Sequence, residues 1–140
     1  MRHAWAVLLV CGVSLAAQGT RTFKTRLSPV PIDVAMQATV AGTGAVTATL
    51  SGSKLTVAGT FEGLKSAATL AKVHKSPVRG VRGPEVFALT VTSATSGTIS
   101  GTADLTQPQI SDLQAGRLYV QIHSEKAPEG NLWGWLMEKK

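Results

Sequence analysis

Beyond residue 20 the apolar side chains recur at every second position, not every third or fourth, which is the period of strands with one buried face. Val46, Ala48 and Leu50 alternate with Thr47 and Thr49, and Leu55 and Val57 alternate with Lys54, Thr56 and Ala58. Ser51-Gly52-Ser53 between these runs is a tight-turn signal and predicts a hairpin. Thr22 to Ser28 reads as an opening strand, and Phe61 and Leu64 flank a turn at Gly63. Ala68 to Lys75 is the next strand, Phe87, Leu89 and Val91 mark another, and Ser96-Gly97 turns the chain into Thr98 to Leu105. Leu118, Val120 and Ile122 face one way in a further strand, while Arg117, Tyr119, Gln121 and His123 face the other; Asn131 to Met137 closes the series. About eight short strands at near-regular spacing predict an all-β, antiparallel sandwich or barrel.

One short helix interrupts the pattern. Thr106-Gln-Pro-Gln109 has the form of a capping box, with Pro108 in a first turn whose amides have no intrahelical partner. Ile110 and Leu113 share a face, and Gly116 stands where a left-handed C-terminal cap is wanted. The helix is expected across one end of the sandwich. Aromatics make up 5% of the chain, so Val, Leu, Ile, Ala and Thr methyls must fill the core, with Phe23, Phe61, Phe87 and Trp133 as its larger pieces.

The first residues change the picture. Arg2 and His3 precede an apolar run from Ala4 to Leu15, and small residues follow at Ser14-Leu-Ala-Ala17. This is the form of a signal peptide spanning residues 1–19, with cleavage between about 16 and 19, and it implies a secreted or periplasmic protein. The run is too short for a stable membrane span. Cys11, the sole cysteine among 140 residues, lies inside it, so the domain over residues 20–140 has neither disulfide nor thiolate metal site. A lipid anchor on Cys11 is disfavoured by Val10, where a small residue is expected. The net charge is +6, and charge is sparse at 16% of residues. That suits loose attraction to anionic glycans or envelope polymers. Nucleic acid is excluded as a partner, since aromatics that would stack bases are not interleaved with the basic residues.

Two stretches share a layout: Ala71-Lys-Val-His74 through Arg82-Gly-Pro-Glu-Val-Phe87, and Leu118-Tyr-Val-Gln-Ile-His123 through Pro128-Glu-Gly130 to Trp135-Leu136. Each is an alternating strand ending in histidine, then a Pro/Gly loop, then another apolar strand. With Pro29-Val30-Pro31, Leu55-Thr-Val57 and Leu105-Thr-Gln-Pro-Gln-Ile-Ser-Asp-Leu113 in this order, the chain from about Thr22 to Leu136 resembles the CHRD domain, a chordin-type module also found alone in secreted bacterial proteins. The resemblance implies an immunoglobulin-like or superoxide-dismutase-like Greek-key sandwich and no enzymatic activity. Many relatives carry a His-Ile-His pattern where this chain has Lys72-Val-His74, so a metal site resting on that pair loses a ligand here.

Four candidate chemistries remain. His74 and His123 end equivalent strands and would meet at one rim, as ligands for copper or zinc; with so few donors, the plainer expectation is that each imidazole hydrogen-bonds backbone and fixes its loop. Ser76 and Ser124 lie close to the histidines in sequence, but no strained nucleophile turn is present, and adjacent strand residues point to opposite faces. Lys72, Lys75, Arg79 and Arg82 fall within eleven residues and would form an anion-attracting patch, or simply a solvated loop. Trp133 and Trp135, two apart, share a strand face with Tyr119 and His123 as neighbours, either as an exposed stacking platform or as core. The expectation is a non-catalytic extracellular binding or structural module for an anionic glycan, an envelope polymer or another extracellular protein. The alternative is a copper- or zinc-binding, redox-protective domain.

Overall fold

The computed structural model describes residues 19–140; the leader expected at the N-terminus lies, but for Gly19, outside them. Among the described residues nine strands and one α-helix form: β1 (Arg21–Pro29), β2 (Thr43–Ser51), β3 (Lys54–Glu62), β4 (Ala68–Lys75), β5 (Glu85–Val91), β6 (Gly97–Asp104), α1 (Gln107–Gln114), β7 (Leu118–Ser124), β8 (Ala127–Trp135) and β9 (Met137–Glu138). The order β2-β3-β6-β5-β4-β7-β8-β1, with β1 returning to β2, closes an eight-stranded antiparallel barrel. β3 lies beside β6 while β4, β5 and β6 follow one another, which is a Greek-key connection.

The barrel is flattened into two sheets that meet at two corners. β1 pairs with β2 from Arg21 to Leu27, then crosses to pair with β8 at Ser28 and Pro29. β5 pairs with β4 as far as Leu89, then crosses to β6 at Thr90 and Val91. One sheet is therefore β9-β1-β2-β3-β6 and the other β5-β4-β7-β8. At the first corner a Cβ on Gly134 would stand 2.5 Å from the Arg26 carbonyl oxygen, so only glycine lets β1 pass this close to β8.

The period-two pattern does what it implies. Leu50 and Leu55 face each other across the β2–β3 hairpin, whose two-residue turn is Gly52-Ser53. Phe23, Leu27, Val46, Val57, Phe61, Val73, Ile99, Leu118, Val120, Ile122, Leu132 and Leu136 fill the space between the sheets, and Ile110 and Leu113 bring α1 against the same core. Thr106 caps α1 with both halves of the capping box present, and Gly116 follows the helix at φ +73. Two expected core pieces fit less fully: Phe87 packs on the edge of this core and Trp133 lies outside it. Phe87 is only partly buried, because β5 is leaving one sheet for the other. Trp133 points away from the barrel interior and joins a second, smaller cluster with Val30, Val40, Ala127 and Met36. Among the described residues no helix is long and apolar enough to cross a membrane, which leaves strands unaddressed.

Candidate functional site

The second cluster marks the unusual part of the molecule. On the outer face of the second sheet, where a two-layer fold normally meets water, Tyr119 is 1% exposed and Gln121 is 2% exposed. Register explains which side chains share that face. His74 is opposite Tyr119, which is opposite Trp135; Lys72 is opposite Gln121, which is opposite Trp133; Leu70 is opposite His123. Leu118, Val120 and Ile122 alternate with these and enter the core. Both sides of β7 are therefore covered.

The cover comes from loops. The segment between β4 and β5 folds back over His74 and Tyr119, and the start of β8 folds over Gln121 and His123. A loop laid on a sheet buries backbone carbonyls, and each needs a donor. The outer face supplies them. His74 Nδ1 lies 2.9 Å from the Gly83 carbonyl, and His123 Nδ1 lies 2.9 Å from the Pro128 carbonyl. Gln121 Nε2 donates to the Glu129 carbonyl at 3.0 Å, and Arg82 Nη1 donates to the same oxygen at 2.5 Å, pinning one loop to the other. The Tyr119 hydroxyl accepts from the Gly83 amide at 3.0 Å. At Gly83 a Cβ would overlap the Lys75 carbonyl oxygen, so the loop can lie this close only with glycine there.

The aromatic rings form one group. His74 stacks on Tyr119 with centroids 5.0 Å apart and planes 12° from parallel. Tyr119 and Trp135 are 4.9 Å apart, and Trp133 meets Trp135 edge-on at 4.7 Å. The Arg82 guanidinium lies 6.0 Å from the Trp133 ring centroid, the limit of a cation–π contact. Both tryptophans are half-buried. They share a face as expected, but the neighbours opposite them are Tyr119 and Gln121, not His123.

The histidines do not meet at one rim. β4 and β7 run antiparallel, so the end of one strand faces the start of the other, and His74 and His123 are separated by four register positions, about 13 Å along the strand. Because a carbonyl can only accept, each Nδ1 carries a proton, and in the neutral ring each Nε2 is left with a bare lone pair. Both Nε2 atoms are buried without a partner, as is Trp135 Nε1. Burial holds the His123 pKa below its ordinary 6.5; the Pro128 hydrogen bond opposes this, while the positive charges of Lys72 and Arg82, and of His74 whenever that ring is protonated, add to it. No group of three or more His, Cys, Asp or Glu that could hold a metal ion occurs among the described residues.

The four basic residues reach different partners. Lys72 pairs with Glu85 at 3.0 Å, and Lys75 pairs with the buried Asp112 at 3.2 Å, which Arg117 also approaches. Arg82 is held by the Glu129 carbonyl, and Arg79 reaches toward Gly116. Neither serine is placed as a nucleophile: the Ser76 hydroxyl bonds to the carbonyls of Val78 and Val81, and the Ser124 hydroxyl accepts from Asn131 Nδ2 at 2.8 Å. Reasoning from sequence missed Gln121, Gly83 and the Glu129 carbonyl. The one available signal was a glutamine at an alternating position between two aromatic-bearing strands.

A family model described as the CHRD domain matches residues 23–136, most of the chain. Comparison with curated proteins and with solved structures finds no match. The chain belongs to the CHRD-domain family.

Proposed function

We propose that this CHRD-domain protein is a secreted, non-catalytic binding module, and that it binds an anionic glycan or envelope polymer on the outer face of its second sheet. The observation that carries the reading is the half-exposed Trp133–Trp135 pair with Arg82 beside it. Tryptophan faces stack on the C–H faces of sugar rings, and a guanidinium makes paired hydrogen bonds to sulfate, phosphate or carboxylate. Tyr119 and His74, locked behind the pair, fix its orientation at low entropic cost. No side chain on this face is arranged as a base beside a nucleophile, which favours binding over turnover.

The test is quenching or shifting of tryptophan emission by sulfated and uronic-acid polysaccharides and by envelope polymers at physiological salt. Trp133→Ala is expected to weaken binding by about tenfold, the scale of one stacked aromatic. Absence of binding across that panel, with no partner recovered from the secretome, would sink the reading. Binding that vanishes with modest salt and survives Trp133→Ala would reduce it to unspecific charge.

The bare Nε2 atoms of His74 and His123 favour one second reading, a copper or zinc ion held at one imidazole with water or a ligand group completing its shell. Equal melting temperatures for metal-free and metal-loaded protein would dismiss it.

A further inference from the structure

Between β4 and β5 the chain builds a knob that is apolar outside and fastened from within. The Val81 amide donates to the Val78 carbonyl at 3.0 Å, closing a turn with Arg79 and Gly80 at its corners. Gly80 takes φ +91, the positive value that distinguishes the third position of a type II turn from that of a type I turn. Ser76 is fully buried, and its hydroxyl is shared between the carbonyls of Val78 and Val81. With both carbonyls turned inward, the two side chains stand in solvent: Val78 is 65% exposed and Val81 is 49% exposed. The surface continues onto β9. Arg79 Nη2 and Met137 Sδ lie 3.0 and 3.1 Å from the point a Cβ on Gly116 would occupy, so arginine and methionine both lie against the end of α1. Met137 is 41% exposed. Arg117 follows Gly116, and Arg82 follows Val81.

Three exposed apolar side chains thus sit among Arg79, Arg82 and Arg117. We infer that this knob docks on an anionic lipid surface, with Val78, Val81 and Met137 entering the boundary between headgroups and acyl chains and the arginines at phosphate level. Interfacial binding needs this combination of protruding apolar groups and surrounding cations, and it needs no shaped counterpart. Valine and methionine offer no flat face for a sugar, so the glycan reading at Trp133 neither requires nor explains them. Because the Ser76 hydroxyl already holds the turn, little ordering cost falls on docking. With only three modest apolar groups, the attachment is weak and reversible.

The full chain is floated with vesicles of equal parts phosphatidylglycerol and phosphatidylcholine, and with phosphatidylcholine alone. The apolar run at residues 4–15 is common to every variant, so differences between variants read the knob. Retention on the anionic vesicles is expected to exceed that on neutral ones and to fall with salt. Val78→Ser with Val81→Ser lowers it about tenfold, from the apolar surface lost. Arg79→Gln lowers it about fivefold, the scale of one cation at a charged leaflet. Melting temperatures stay unchanged, and Trp133→Ala leaves retention intact. Equal retention of wild type and the double valine variant overturns the inference, as does equal retention on both vesicle types. Retention lost in Trp133→Ala but kept in the valine variant also overturns it and assigns the contact to the aromatic face.

Discussion

Gly83 offers the sharpest test of how the loop cover is held. It is not among the glycines with positive φ, so alanine there meets none of the left-handed strain that it would meet at Gly80. The whole cost is steric: the added methyl overlaps the Lys75 carbonyl oxygen, which is backbone and cannot swing away. The loop must lift, and three hydrogen bonds go with it: the Gly83 amide to the Tyr119 hydroxyl at 3.0 Å, His74 Nδ1 to the Gly83 carbonyl at 2.9 Å, and the Lys75 amide to the Pro84 carbonyl at 2.9 Å. At about 1 kcal/mol net each, Gly83→Ala should cost about 2–3 kcal/mol. For a domain of this size, that lowers the melting temperature by about 10 °C. Trp135 packs on Tyr119 and Trp133 lies beside Arg82, so lifting the loop also wets both indoles and shifts their emission to the red. Gly80→Ala is the matched control. It has open space around it but φ +91, so it costs about 1 kcal/mol of left-handed strain and leaves the emission alone. A Gly83→Ala protein melting within about 2 °C of wild type, with unmoved emission, would refute the account of the loop as a fastened lid.

Other consequences follow from single groups. His123 has a folded pKa below its ordinary 6.5, so the unfolded chain binds the proton more readily. The stability this group contributes is full above pH 6.5 and is lost as pH falls through the folded value. Denaturant midpoints between about pH 5 and 7 should therefore fall with acid, and less steeply in His123→Gln; identical slopes would contradict the burial assigned to the ring. Ser124→Ala leaves the buried Asn131 amide without its 2.8 Å partner and should cost about 2 kcal/mol by urea unfolding. Lys72→Ala, by contrast, removes a partly exposed ion pair and should change stability by less than about 0.5 kcal/mol.

The inner half of this architecture was open to reading and the outer half was not, for a physical reason. Alternation in β2, β3, β4 and β7 follows from one local rule, that a strand buries every second side chain, and the Thr106–Gln109 box and Gly116 fix the helix within a few residues. The cover over β7 obeys no local rule. Leu-Tyr-Val-Gln-Ile-His alternates as a one-sided strand does, yet Tyr119 and Gln121 are buried by segments 36 positions before and 8 positions after them. What the alternation hides is that Gln121 and the two histidines each carry a donor that a loop carbonyl requires, and that the Tyr119 hydroxyl accepts from a loop amide. The position of the histidines fails for a related reason. Equivalent ends of two similar strands look alike in a sequence, but antiparallel pairing of β4 with β7 sends them to opposite ends of the sheet.

The same register makes position 72, not 74, the near neighbour of His123. Lys72 lies opposite Gln121, and His123 is two residues further along β7 on the same face, a diagonal relation with Cα atoms about 7–8 Å apart. Two imidazoles in that relation can reach one ion at about 2.0–2.1 Å each. Glu85, whose carboxylate is 3.0 Å from the Lys72 ammonium, supplies a third donor at the same spot. This chain places a cation there, whose charge also lowers the His123 pKa. Lys72→His should therefore create what the wild type lacks: zinc or copper(II) binding that raises the melting temperature by several degrees and is lost again in Lys72→His with His123→Ala. Lys72→Gln removes the same charge without adding a ligand and should gain no metal response. If Lys72→His and Lys72→Gln respond alike, the diagonal geometry is wrong. If wild type already responds as strongly as Lys72→His, a metal is held without position 72 and the lysine does not block it.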